Sequence, residues 1–285
     1  MDPFRILQSL ESGLYNRTLR SYMILRERLS PRQGLRILFS PKPDWEGQIR
    51  AGFRHTRHEV AFLELSPLKE AIADYDVVVP LTIADVRFLN KTRGLIAHNR
   101  LPIPSLESIS LCDDKVRFSQ FLQDNGFGDF LPQTGDRLAY PYVVKKRIDE
   151  YGQSCHMIHD ARGAEACAGF LADPAYFTQA LVPGPKEYAT HIVFSGGKIA
   201  CSLNIEYRFG TSGSIKGKDN YLGTHPCRCP HLDLFASMLK AIEFEGLCCV
   251  NYKTADDGRP MMLEINPRFG GSLSPWFFGF IRYLR

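Results

Sequence analysis

The first residues and those that follow carry different hydrophobic patterns. Residues 4–32 set Leu7, Leu10, Leu14, Tyr15 and Leu25 among basic side chains. That spacing predicts an amphipathic helix packed on the next part of the chain, although such a helix can also lie on a membrane surface or a partner. From Gly34, short apolar runs take over. Residues 35–40, 60–65 and 76–81 read as buried strands, and Thr82 offers an N-cap to a helix over 84–89. Strands separated by helical stretches predict a small parallel α/β unit. No G-x-G-x-x-G follows any of them, so the dinucleotide fingerprint is missing.

Pro102-Ile103-Pro104-Ser105 predicts a linker, with a domain boundary near residue 108 separating 1–108 from 109–285. Beyond it, a helix is expected over 113–124, ending at Asn125-Gly126. A strand follows at Tyr142-Val143-Val144-Lys145, then a polar turn-forming loop over 149–154. A hairpin over 188–205 turns at Ser195-Gly196-Gly197, a last helix covers 232–245, and a final hairpin comes after it. The fold class expected is α/β, with an α+β C-terminal part.

Composition narrows the class. Of 285 residues, 44% are apolar, with 19 Phe and 12 Tyr, which excludes a disordered or fibrous chain. No uncharged apolar run approaches the ~20 residues of a membrane span. Asp2, Arg5, Glu11 and Arg17 break up any secretion-signal core. A net charge of +4 is too small to argue for nucleic acid, so none is expected as a partner, and it suits small anionic substrates. Eight cysteines lack the density of a disulfide scaffold, pointing to free thiols in a reducing cytoplasm.

The most informative chemistry lies near the C-terminus, from Cys249 to Thr254 and from Met261 to Ser272. Asp257-Gly258 signals a two-residue turn, which places Asn251 opposite Glu264. Alternation then puts Asn251, Glu264 and Asn266 on one face, with Val250, Leu263 and Ile265 turned into a core. A carboxylate and two amide oxygens are hard ligands suited to Mg²⁺, which also takes phosphate oxygens; Mn²⁺ is a compatible alternative. Arg268 could grip a phosphoryl or carboxylate group as a planar fork, and Gly270-Gly271 would let backbone approach a ligand.

The string Glu264-Ile265-Asn266-Pro267-Arg268-Phe269-Gly270-Gly271-Ser272 resembles the metal-binding signature of the ATP-grasp superfamily, in its carbamoyl-phosphate-synthetase-like, carboxylate-amine ligase branch. The resemblance covers about 109–285, and earlier segments fall in the family's order. It implies Glu264 and Asn266 as metal ligands, with Asn251 at a third ligand position usually held by Asp, Glu or Gln. It implies Arg268 on the transferred phosphate. Lys115 and Lys145 match its phosphate-contacting lysines, and Ser154 lies in its loop over the triphosphate, here with fewer glycines than usual. Residues 179–188 look like its hinge, with Gln179 beside it, backbone groups of Ala180 and Val182 for adenine, and Glu187 for ribose. A lid subdomain is expected at about 118–183.

Arg208 and Lys216 flank Gly210-Thr211-Ser212-Gly213, where cations would suit a transferring acyl or phosphoryl group. His225 to His231 lacks a common zinc spacing and reads as a proline-stiffened loop. Trp276 to Phe280 either close the fold or meet a second subunit of a homo-oligomer. The resemblance implies a Mg²⁺-dependent use of ATP, joining a small carboxylate to an amine, or less often a thiol, through an acyl phosphate. Carbamoyl-phosphate-type or kinase-type transfer, or a weakly catalytic ATP-binding regulatory module, are the alternatives.

Overall fold

A computed structural model of the chain describes residues 12–30, 33–66, 71–149 and 154–284. The expected N-terminal helix is seen as α1 (Ser12–Arg28), and residues 4–11 of that expectation lie outside the described part. Tyr15 and Leu19 turn inward from α1 and are almost fully buried.

Strands β1 (Arg36–Phe39), β2 (Glu59–Phe62) and β3 (Val77–Val79) form a parallel sheet in the order β2-β1-β3. Helix α2 (Pro43–Phe53) starts with proline in its first turn, where the missing N–H costs nothing. Thr82 caps α3 (Ile83–Lys91) through a reciprocal capping box with Asp85, as the sequence predicts. Ser105, at the end of the proline segment, caps α4 (Leu106–Asp113). Asp114 then caps a separate helix, α5 (Lys115–Asp124), which is the helix expected over 113–124, while α4 before it was not expected.

A small antiparallel sheet holds β4 (Tyr142–Lys146), β5 (Cys155–Ile158) and β6 (Tyr176–Ala180) in the order β5-β4-β6. Tyr142, Val144 and Ile158 form its own core. The larger sheet contains β7 (Lys186–Ser195), β8 (Lys198–Phe209), β9 (Tyr221–Cys227), β10 (Gly246–Thr254) and β11 (Pro260–Asn266). Its order is β11-β10-β7-β8-β9, antiparallel throughout. The stretch read as a loop at His225-Pro226-Cys227 is the end of β9. Proline is tolerated there because β9 is an edge strand with no ladder partner on one side.

One face of the larger sheet packs on α5 and α6 (Leu232–Ala241) through Phe118, Leu122, Phe235, Met238 and Leu239. The opposite face shares a continuous core with the parallel sheet and α1. Phe277 and Phe278 are fully buried in that core beside Phe39, Phe53 and Phe269, so the C-terminal aromatics close the fold. Among the described residues no helix is long and apolar enough to cross a membrane.

Candidate active site

The β10–β11 hairpin reaches the expected register by an unexpected route. Its loop has three residues, Asp256, Asp257 and Gly258, with Ala255 N–H donating to Arg259 O at 2.9 Å. Gly258 takes the left-handed conformation (φ 82°) that such loops demand. The ladder therefore runs one residue out of step, pairing Tyr252 with Met262. A bulge at Leu263 restores the count, so Asn251 faces Glu264 after all. Leu263, expected in the core, instead lines the cavity, and Met262 takes the buried place.

That cavity, about 450 Å³, lies between the two antiparallel sheets and the C-terminal turns. It brings together Lys115, Lys145, Ser154, Glu187, Lys216, Asn251, Glu264, Asn266 and Arg268. Glu264 is the hub. Its Oε2 lies 3.3 Å from Lys115 Nζ, and its Oε1 accepts from Asn251 Nδ2 at 2.7 Å and Asn266 Nδ2 at 2.9 Å. Burial works to raise its pKa. Lys115, the Asn266 bond, Lys216 and the Asn251 bond outweigh burial and bring it down to about 2.

Lys216 bridges Glu187 Oε1 at 3.1 Å and Asn251 Oδ1 at 2.6 Å, over the ring of Tyr207. Burial lowers its pKa, but Glu187 and the other negative neighbours win, and the ammonium is held above its ordinary value. Lys115 is aimed by its bond to Asp149 O at 3.0 Å, and Lys145 by Gln179 Oε1 at 2.6 Å. Gln179 is thus an anchor for Lys145 and does not itself line the cavity. Arg208 does not line it either. Residue 208 lies on the opposite face of β8 from Tyr207, and its guanidinium is tied to Glu206 at 2.6 Å.

The segment read as a hinge is held by a residue of β10 that sequence reasoning missed. Lys253 is 4% exposed and donates to Val182 O, Gly184 O and Ser214 O at 3.3, 3.1 and 3.4 Å. Burial lowers its pKa, with Glu187 opposing that shift. It pins the 182–184 segment to β10, and a cation near the end of an apolar strand was the available signal. Ala180 and Val182 sit in the hinge but do not line the cavity, and Ala180 N–H donates to Gln133 O at 2.7 Å.

Gly270 and Gly271 line the cavity, and each also leaves room for a neighbouring side chain. A Cβ on Gly270 would lie 2.6 Å from His191 Cε1, and one on Gly271 would lie 2.9 Å from Trp45 Nε1. Arg268 is 6% exposed, donates to Phe269 O at 2.9 Å, and lies 5.9 Å from the Trp45 ring centroid.

The donor set suits a hard ion that needs few protein ligands. Among the described residues no group of three His, Cys, Asp or Glu could hold a metal, so one carboxylate and two amides are what Glu264, Asn251 and Asn266 offer. Five cations and four carboxylates line the cavity, among them Lys146, Asp44 and Asp149. That near balance leaves most of a triphosphate's charge for an added divalent ion to offset, so the residues fit magnesium.

No protein-family model matches the chain, and no curated protein matches it in sequence. Solved structures do match in fold. Phosphoribosylamine–glycine ligase from Thermotoga maritima superposes with a TM-score of 0.64 at 16% identity, covering 84% of this chain and 70% of that one. L-amino acid ligase from Bacillus licheniformis gives 0.55 at 14%, covering 86% and 70%. D-alanine–D-alanine ligase from Bacillus anthracis, complexed with ATP, gives 0.53 at 16%, covering 83% and 87%. Two antiparallel sheets around one cavity, preceded by a small parallel sheet, give this chain the ATP-grasp fold.

Proposed function

We propose that the protein is an ATP- and magnesium-dependent ligase that activates a carboxylate as an acyl phosphate for attack by an amine. One observation carries this reading. Glu264 is held ionised by Lys115, Asn251 and Asn266 in a cavity that Lys145, Lys216 and Arg268 also line. The fold is shared with ligases, one of them solved with ATP.

Lys115 and Lys145 would flank the phosphate tail as point charges. Ala180 N–H and Val182 O are already engaged, so adenine would be read by the Ala180 carbonyl and the Val182 N–H. Glu187 would turn from Lys216 to a ribose hydroxyl. A magnesium ion held by Glu264 and Asn266, with Asn251 beside them, would supply charge neutralisation at the phosphate oxygens. Arg268 would grip the transferring phosphoryl group. A substrate carboxylate oxygen attacks the γ-phosphorus and ADP leaves. The amine nitrogen then attacks the acyl carbon, the C–O bond breaks, phosphate leaves, and the amine's proton passes to solvent. Positioning and charge neutralisation are the whole of the protein's task in such a transfer.

ADP release across a panel of amino acids and other carboxylates, with and without amines, tests this. Release that needs both a carboxylate and an amine supports ligation. A retained phosphorylated product supports kinase-type transfer. ATP binding without ADP in any mixture supports a regulatory module.

A further inference from the structure

Helix α1 has a packed face and an outward one. On the packed face Tyr15 and Leu19 turn into the core, Asn16 Nδ2 donates to Thr224 O at 2.9 Å, and Glu27 Oε1 lies 3.1 Å from His58 Nε2. The opposite face is left to solvent. There Leu14, Tyr22, Leu25 and Leu29 are 54%, 41%, 55% and 74% exposed, and none of them lines the active-site cavity. At the helical repeat these four and Thr18 fall within an arc of about 80°. Leu29 belongs to the stripe because its N–H donates to Leu25 O at 3.0 Å, which carries the last turn past Arg28. The stripe runs about 22 Å along the helix. Single exposed leucines are ordinary, whereas four large apolar side chains aligned on one ridge mark an interaction surface.

Cations border the stripe on both sides. Arg17 and Arg28 lie about 40–60° beyond one edge and Arg26 about 40° beyond the other, and all three are exposed. The Arg26 guanidinium sits 5.9 Å over the Tyr22 ring. The one acid of α1 is Glu27, buried on the packed face. A second basic segment adjoins the end of the helix. Arg28 Nε donates to His55 O at 2.7 Å, and Arg57 Nη2 donates to Arg28 O at 2.5 Å. Arg54, His55 and Arg57 are exposed beside it, and residues 47–58 hold no Asp or Glu.

We propose that the outward face of α1 docks the protein on an anionic lipid bilayer. Leu14, Tyr22, Leu25 and Leu29 enter the boundary between headgroups and acyl chains, and Arg17, Arg26 and Arg28 meet headgroup phosphates. Charge decides the occupant. A second copy meeting this face would set arginine against arginine with no carboxylate between them. A nucleic acid would satisfy the arginines and give the leucines no apolar layer to enter. A bilayer offers anions at headgroup level with hydrocarbon beneath, which is what an apolar stripe edged by cations fits. Tyrosine favours that boundary, and arginine stems lie along the apolar layer while their heads stay wet. The helix lies along the surface and does not cross it, since no described helix is long and apolar enough to span a membrane. The assignment is independent of the ligase reading.

The test co-sediments the full chain with vesicles of two parts phosphatidylcholine to one part phosphatidylglycerol, and with vesicles of phosphatidylcholine alone. Partition onto the mixed vesicles should exceed that onto phosphatidylcholine at least ten-fold and fall as salt is raised. Leu25→Gln with Leu29→Gln should lower it about ten-fold or more, and Arg17→Gln with Arg26→Gln about twenty-fold, near five-fold for each arginine. Both double variants change exposed side chains only, so circular dichroism and Tm should match wild type. Tyr22→Trp should gain a blue-shifted emission component on mixed vesicles, a sign of insertion that adsorption alone does not give. Absence of binding, equal partition onto both vesicles, partition unchanged by the leucine pair, or an unshifted emission overturns the proposal. Sedimentation equilibrium without lipid and titration with a single-stranded RNA cover the other occupants. A dimer that Leu25→Gln dissociates, or RNA binding lost with the arginine pair in a protein that ignores vesicles, overturns the bilayer in favour of a second copy or a nucleic acid.

Discussion

Gly270→Ala is a stringent probe of how the site is built. Gly270 has φ −106° and ψ 140°, which alanine adopts freely, so backbone strain contributes nothing. The added methyl would lie 2.6 Å from His191 Cε1 and 3.0 Å from both Cβ and Sγ of Cys249. Those neighbours sit on adjacent central strands and are 0% and 4% exposed, so neither can swing into solvent. Overpacking of that kind costs about 1–3 kcal/mol. At roughly 2–4 °C per kcal/mol for a chain near this size, Tm should fall by about 2–12 °C. The cause is separable from any other effect of alanine by a double-mutant cycle with His191→Ala. If the clash with the imidazole is the source, most of the Gly270→Ala penalty disappears once the ring is gone, giving a coupling of about 1–2 kcal/mol in urea unfolding. Equal penalties in both backgrounds would refute the packing argument. Such a result would mean that the glycine's role is elsewhere, including the close approach of a ligand that its sequence suggests.

Three further outcomes follow from the same geometry. Glu264→Gln should lower stability at pH 7 by about 3 kcal/mol. Its folded pKa of about 2 lies below the usual 4.5, so the contribution is complete above pH ~4.5 and fades as pH falls toward 2; a pH-independent difference in urea unfolding would contradict this. Lys253→Met should leave the Val182, Gly184 and Ser214 carbonyls without their donor. It should raise the ATP KM at least ten-fold through a loosened hinge, with the carboxylate KM moving less. Arg208→Gln should change ADP release less than three-fold, because the guanidinium is committed to Glu206 outside the cavity; a hundred-fold loss would place it in the chemistry.

Local signals carried much of this architecture. Thr82 with Asp85, the apolar triplet Val77-Val78-Val79 and the Gly196-Gly197 turn act through nearest neighbours, and each element forms where its residues predict. The pairing of Asn251 with Glu264 is also seen, but only because a three-residue loop and a bulge at Leu263 offset each other. A bulge depends on cross-strand packing, which no short window contains. The contacts of Lys253 and His191 were hidden for a related reason. Each looks like one polar residue in an apolar strand until the sheet order β11-β10-β7-β8-β9 makes β10 and β7 central. Arg208 shows the converse. Its sequence neighbours suggested a substrate cation, whereas alternation along β8 turns it to the face that carries Glu206.

The central claim is that a nucleotide's phosphates and a divalent ion occupy the cavity between the two antiparallel sheets, against Glu264. A crystal structure with magnesium and a non-hydrolysable ATP analogue tests it most directly. The account predicts the ion within ~2.0–2.1 Å of a Glu264 oxygen, bridged to phosphate oxygens that Lys115 and Lys145 also contact. Nucleotide bound elsewhere, or an analogue in the cavity with Glu264 still paired to Lys115 and no ion between them, would contradict it.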